Sequence, residues 1–200
     1  SVLQTPRFTL KLLGLILCGI APCVAAEDNY SKSVGQDYPK NVYFGDTHLH
    51  TRNSADAWTM GNLNLAPADA YRFAQGEPVT AHNGMKVQLR EPLDFLVISD
   101  HAEYLGAFYR FSVKDPLIVR SNVGKLWQKF LDEGEFAKFF AAFTGSMQDP
   151  KSNPPLPKST QRTIWQDVTR IADQHNRPGV FTAFSGYEWT SMINSNNLHR

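Results

Sequence analysis

Leu93-Asp94-Phe95-Leu96-Val97-Ile98-Ser99-Asp100-His101 decides the fold. Leu93 to Ile98 is a near-continuous apolar run, the pattern of a strand covered on both faces. It ends abruptly in Ser99-Asp100-His101, polar groups able to bind a ligand. Two other segments repeat this form. On the N-terminal side, Val42-Tyr43-Phe44 reads as a short buried strand closing at Gly45-Asp46, and Thr47-His48-Leu49-His50 follows. On the C-terminal side, Val180 to Phe184 is a third strand, followed by Gly186-Tyr187-Glu188.

Helical patterns lie between these strands. Pro67 to Gln75 has Pro near its start and Gly76 just past its end. Residues 117–145 carry Leu126, Trp127, Phe130, Leu131, Phe136, Phe139, Phe140 and Phe143 at helical spacing, as two helices broken at Gly134, and this aromatic stripe is expected to pack as core. Ser159 or Thr160 is expected to cap a helix with Ile164, Trp165, Val168, Ile171 and Ala172 on one face, ending at Asn176-Arg177-Pro178-Gly179. The alternation Met85, Val87, Leu89 suggests a hairpin arm. Strands alternating with helices argue for an α/β fold with a parallel sheet or barrel.

The first 26 residues are expected to be a signal peptide. Arg7 and Lys11 form a positive region, Leu12 to Ile20 an apolar core too short to span a bilayer comfortably, and Val24-Ala25-Ala26 fits a cleavage site. Export to the periplasm or the medium follows, with residues 27–40 a flexible lead-in and no stable membrane span after the leader is removed. Both cysteines, Cys18 and Cys23, fall in the leader, so any metal must be held by His, Asp or Glu. Without Arg7 and Lys11 the chain has 18 basic against 19 acidic residues, a net of −1. That balance gives no support to a nucleic-acid partner, which would need a basic face. The chain reads as the N-terminal part of a longer protein.

Four of the six histidines sit at or just beyond strand ends. His48 and His50 are two residues apart, which in a continuing strand places both rings on one face, with Asp46 on the same face to accept a ring N–H. The second strand end supplies Asp100 and His101, and the third supplies Glu188, with His199 eleven residues later. Sites in α/β sheets are built at this edge. His82, in a turn, and His175, at a helix end, read as structural or exposed.

The stretches Tyr43-Phe44-Gly45-Asp46-Thr47-His48-Leu49-His50-Thr51, Pro92 through Gly106, and Phe184-Ser185-Gly186-Tyr187-Glu188-Trp189-Thr190 resemble the family of unknown function DUF3604. More broadly, Asp46-x-His48-x-His50-Thr51-x-x-Ser54-x-Asp56, Ile98-Ser99-Asp100-His101 and Gly186-x-Glu188 with His199 resemble the polymerase-and-histidinol-phosphatase (PHP) superfamily. The resemblance covers residues 41–200. It implies a distorted (β/α)7 PHP-type barrel, incomplete in this fragment, with residues 117–175 a helical insertion. It also implies two or three divalent ions (Zn, Mn or Fe). His48 and His50 would ligate one ion, Glu188 would bridge two, and His101 and His199 would complete the others. Asp56 stands where many members have a histidine, and that carboxylate favours a harder ion such as Mn.

Such a site suits a metal-dependent hydrolase, first a phosphoesterase using a metal-bridging hydroxide on a small anionic substrate. Asp100, Glu103 and Arg52 are the candidate catalytic residues; Arg52, Glu103 and Arg200 adjoin the ligands and are placed to contact substrate. The rivals are other ester, amide or lactone hydrolysis or a lyase step on the same scaffold, and an inactive exported metal-binding module.

Overall fold

The computed structural model describes residues 40–200 apart from 150, 152, 193, 195 and 197. The expected signal peptide and lead-in lie outside the described residues, except for Lys40. Three parallel strands, β1 (Gly45–Leu49), β4 (Phe95–Ile98) and β5 (Thr182–Ser185), form one sheet in the order β1-β4-β5. Phe95, Leu96, Val97 and Ile98 stand opposite Thr182, Ala183, Phe184 and Ser185 without a break. β1 pairs Gly45 with Phe95 and Leu49 with Ile98, and its register slips between Asp46 and Leu49, where β1 carries one extra residue.

The chain between β1 and β4 holds α1 (Ala55–Thr59), α2 (Pro67–Ala74) and a small antiparallel pair, β2 (Val79–Thr80) with β3 (Lys86–Val87). Pro67 opens α2, and Asp69 accepts the Ala66 N–H at 2.9 Å, so two of the orphan groups at that helix start are removed or satisfied. The chain between β4 and β5 is helical: α3 (Ala107–Ser112), α4 (Pro116–Val119), α5 (Asn122–Asp132), α6 (Phe136–Gln148) and α7 (Lys158–His175). The expected break at Gly134 is present, with a φ of +71° that favours glycine. A short two-stranded ribbon follows β5, formed by β6 (Thr190–Ser191) and β7 (Leu198–His199).

Two apolar clusters hold these parts. Leu96 and Ile98 on one face of β4 pack with Tyr71 and Ala74 of α2, Ala172 of α7, and Phe181. Trp127, Phe108, Phe111, Ile118, Val123, Phe139, Phe143 and Ile164 form a second, helical cluster. The aromatic stripe is thus divided: Trp127, Phe139 and Phe143 are buried, whereas Phe136 and Phe140 are exposed.

The structure departs from the sequence-based expectations at three points. Val42, Tyr43 and Phe44 precede β1 and are exposed, because they lie at the sheet's margin, where no helix covers them. β4 is covered on one face only: Phe95 and Val97 border an open concavity with Thr47 and Phe184. Helix α7 begins at Lys158 after Pro157, whose carbonyl accepts from Gln161 at 3.0 Å, and neither Ser159 nor Thr160 caps it. The fold is α/β with a parallel sheet, and no closed barrel is formed among the described residues.

Candidate metal centre

All three parallel strands end on the same edge, and each runs on for one to three residues into a potential ligand. β1 carries His48 and leads directly into His50, and their rings stack with centroids 5.1 Å apart. Beyond β4 and β5 the ladder continues as a parallel bridge between His101 and Glu188. The Glu188 N–H donates to the Asp100 carbonyl at 3.0 Å, and the Ala102 N–H donates to the Glu188 carbonyl at 2.8 Å. Gly186 makes this close passage possible: a Cβ there would lie 2.6 Å from Val97 Cγ1 and 3.1 Å from the Ile98 carbonyl oxygen. The ribbon then returns the chain, setting His199 directly opposite Thr190.

Glu188 is the hub, 2% exposed. Its Oε2 lies 3.4 Å from His48 Nε2, 2.8 Å from His50 Nε2 and 3.5 Å from His101 Nε2, and its Oε1 lies 2.6 Å from His199 Nδ1. Asp56 Oδ2 lies 3.0 Å from His50 Nδ1 and 3.6 Å from His101 Nε2. Three overlapping groups result, each able to hold a metal ion: His48, His50 and Glu188; His50, Asp56 and His101; His101, Glu188 and His199. A tetrahedral ion with bonds of ~2.0–2.1 Å separates its ligand atoms by roughly 3.3 Å, close to several of these spacings. Glu188 Oε2 and His50 Nε2 are buried with no hydrogen-bond partner among the described residues. The two atoms are only 2.8 Å apart and make no hydrogen bond, so a cation held near both would satisfy them. The donor set of imidazole and carboxylate without thiolate fits Zn, Mn or Fe.

The site's electrostatics follow from crowding. Burial opposes the charged form of His50, but the hydrogen bond to Asp56 and the charges of Asp56, Glu188 and Asp100 outweigh it and raise its pKa. For Asp56 burial pushes the other way, yet the bonds from His50 and Ser54 hold the carboxyl well below the usual range. Burial raises Asp100 to about 6 against the bonds it accepts from Thr51.

The family model for "Protein of unknown function (DUF3604)" matches residues 37–200. The chain belongs to DUF3604. No curated protein and no solved structure matches it.

Within this DUF3604 domain the candidate ligands His48, His50, Asp56, His101, Glu188 and His199 all converge. Other sequence-based candidates fall elsewhere. Asp46 does not meet a ring: its Oδ1 accepts the His48 backbone N–H at 2.8 Å, because the register slip puts that N–H within reach. The carboxylate behind a histidine is instead Asp56, which takes His50 Nδ1. Asp100 is fully engaged by Thr51, accepting from its backbone N–H and, at 2.8 Å, from its hydroxyl, so it ties the end of β4 to the loop after β1. Glu103 lies behind His101, with Oε2 3.6 Å from Nδ1. Arg52 points to other partners: its guanidinium lies 3.8 Å from the Tyr109 ring centroid and donates to the Asn64 carbonyl at 3.2 Å. Arg200 pairs through its backbone with Trp189.

Three hydroxyls that sequence reasoning missed support the DUF3604 cluster. Thr51 anchors Asp100. Ser54, fully buried, accepts the His101 backbone N–H at 3.1 Å and donates to Asp56 Oδ1 at 2.5 Å. Thr190 Oγ1 lies 3.1 Å from His101 Nδ1 and 3.2 Å from His199 Nδ1. The sequence carries them only as positions within the resembling stretches and as neighbours of ligands, Ser54 two residues before Asp56 and Thr190 two after Glu188, with no role attached. A cavity of about 400 Å³ opens beside the cluster, lined by Glu103, Tyr104, Leu156, Gln161, Trp189 and Thr190 among others.

Proposed function

We propose that this protein is a metal-dependent hydrolase of PHP type, acting first as a phosphoesterase with two or three divalent ions. One observation carries the reading: three donor groups overlap by sharing His50, His101 and Glu188 around buried atoms with no hydrogen-bond partner. The PHP architecture would make the three parallel strands part of a distorted (β/α)7 barrel. The open concavity bordered by Phe95, Val97 and Phe184 supports this, since further strands would cover it. Residues 117–175 would be an insertion that walls the site, and the leader would direct export. No described helix is long and apolar enough to cross a membrane.

Divalent ions held by these groups would polarise an ester's oxygens and make water a competent nucleophile near neutral pH. The chain's own residues prepare the site. Asp56 receives Nδ1 of His50 and so leaves Nε2 directed at Glu188. Phe143 sets its ring edge-on to His101 with centroids 5.0 Å apart and excludes water from that side. Ser54 joins the His101 backbone to Asp56, so the segment after β4 is held against the start of α1.

A second reading has its own support. Among the described residues, the ion pairs of Asp56, Glu103 and Glu188 are all with histidines, and no Lys or Arg lines the adjoining cavity. That charge pattern favours an uncharged ester, amide or lactone over a phosphate. Metal content of the purified full-length protein by mass spectrometry, with turnover of phosphomonoesters, phosphodiesters and carboxylic esters, tests both. Two or three ions per chain, with phosphatase activity lost to a chelator and restored by Mn or Zn, is expected. Turnover of carboxylic esters alone selects the second reading. Bound metal without turnover of any ester leaves a metal-binding module, and no bound metal overturns the proposal.

A further inference from the structure

We infer that the substrate carries an uncharged, apolar arm the size of a single ring, held in a second cavity beside the candidate metal centre, walled by Trp165 and Tyr187 over a floor of Leu156 and Ile164. That the arm belongs to a substrate rests on the metal-centre reading above; the capacity of the cavity for an apolar ring does not.

The cavity holds about 200 Å³. An apolar cavity of ~150 Å³ is already enough to take benzene. Its floor is buried aliphatic surface, Ile164 and Leu156. Its walls are aromatic and open: Tyr187 is 53% exposed, and Trp165 meets it edge-on with ring centroids 5.8 Å apart. Aromatic faces left uncovered around a concavity are surface that an apolar ligand can bury. None of the described residues lining it is charged. Its position follows from the strand ends. Tyr187 immediately precedes Glu188, and successive side chains along an extended segment point to opposite sides, so where Glu188 turns into the cluster Tyr187 turns onto the cavity. Ala102 immediately follows His101, donates its N–H to the Glu188 carbonyl at 2.8 Å and also lines the cavity. Ala102, Leu156 and Gln161 line both this cavity and the larger one that reaches Glu103 and Thr190, so the two join in one groove leading to the cluster. The rim is fixed before any ligand arrives. Gln161 Nε2 donates to the Leu156 carbonyl at 2.7 Å, and Pro154, Pro155 and Pro157 restrict the loop that carries Leu156. A preformed pocket keeps the ordering cost of binding small.

The test uses 2-phenylethanol as the isolated arm and its esters as substrates, on the full-length protein. In the metal-free protein, methyl NMR should show saturable shifts at Leu105, Leu156 and Ile164 as 2-phenylethanol is added. Trp165→Ala should weaken this binding about 5-fold or more, and Trp165→Phe, which keeps a ring, should stay within about 2-fold of the unaltered protein. In the metal-loaded protein, 2-phenylethyl phosphate should exceed methyl phosphate in kcat/KM by about 10- to 100-fold, or 2-phenylethyl acetate should exceed methyl acetate by as much if carboxylic esters are the ones turned over. Both leaving groups are simple alkanols, so the ratio reads binding of the arm, and Trp165→Ala should narrow it. Absence of shifts at Leu156 and Ile164 overturns the inference, as does a Trp165→Ala protein that binds 2-phenylethanol unchanged. Equal kcat/KM for the 2-phenylethyl and methyl esters overturns it too. If no ester is turned over, the hydrolase reading fails alone, and the methyl spectrum still decides whether the cavity takes an apolar ring.

Discussion

The two apolar clusters flanking the site do different work. The cluster under the sheet is small and assembled from distant parts of the chain: Tyr71, Leu96, Ile98, Ala172 and Phe181. The helical cluster is larger and aromatic, and most of it comes from one stretch, Tyr104 through Ile164. His48, His50, His101 and Glu188 all come from the ends of the strands. From the helical side the site receives Asp56, on α1 beside Trp58, and the ring of Phe143 against His101. Ligand placement therefore depends on long-range strand pairing, while the wall depends on local helix packing. Damage to one should be separable from damage to the other.

The strongest way to break that separation is at the hub. Glu188→Gln keeps the size of the side chain and removes the charge shared by two of the three donor groups. Activity is expected to fall by about 10³-fold or more, equivalent to ~4 kcal/mol of barrier, with ion stoichiometry reduced and the circular dichroism spectrum retained. An unchanged ion count would remove Glu188 from the centre. Trp127→Ala makes the opposite cut. Trp127 is fully buried, stacked at 4.6 Å between centroids on Phe108 and edge-on to Phe139. Loss of its ring should cost about 3–5 kcal/mol in urea denaturation. The ion count of the folded fraction should not change, and a parallel loss of metal would show that the helical side also sets the ligands.

The same contrast governs what could be read from the residues alone. The ligands were legible because histidine is scarce here and the apolar runs mark where strands stop, so His101 and Glu188 stand out by type and position. Strand boundaries were less so. Val42-Tyr43-Phe44 has the composition of a buried strand, but burial depends on what covers the sheet margin, and hydrophobicity alone does not encode that. The supporting hydroxyls were nearly invisible. Serine and threonine are ordinary surface residues, and Ser54 and Thr190 acquire roles only when strand pairing brings His101 beside them across 47 and 89 residues of chain. Asp100 shows the reverse case. Its place next to His101 suggested chemistry, yet both its oxygens accept from Thr51.

Asp100→Ala sharpens that last distinction. It would leave the Thr51 N–H and hydroxyl without their buried acceptor, and stability should drop by about 1–3 kcal/mol. Asp100→Asn retains an acceptor and should recover most of that loss. If Asp100 only ties β4 to the loop after β1, the Asn variant should keep its metal and its activity; loss of turnover with stability intact would return Asp100 to the catalytic set.

Arg52 offers the smallest effect and the cleanest division between wall and centre. Its backbone N–H donates to the Leu65 carbonyl at 2.9 Å, and its side chain turns toward α3, over Tyr109, with a further bond to the Asn64 carbonyl. A guanidinium stacked on a tyrosine at a partly exposed position is worth about 0.5–1 kcal/mol. Arg52→Met keeps much of the aliphatic stem over the ring and removes the charge, so it should lower stability by no more than that amount. The KM for an anionic ester should stay as it was, since the arginine is committed to the helical side. A rise in KM with kcat unchanged would mean that the guanidinium leaves Tyr109 to meet substrate, and that the wall takes part in binding as well as in shape.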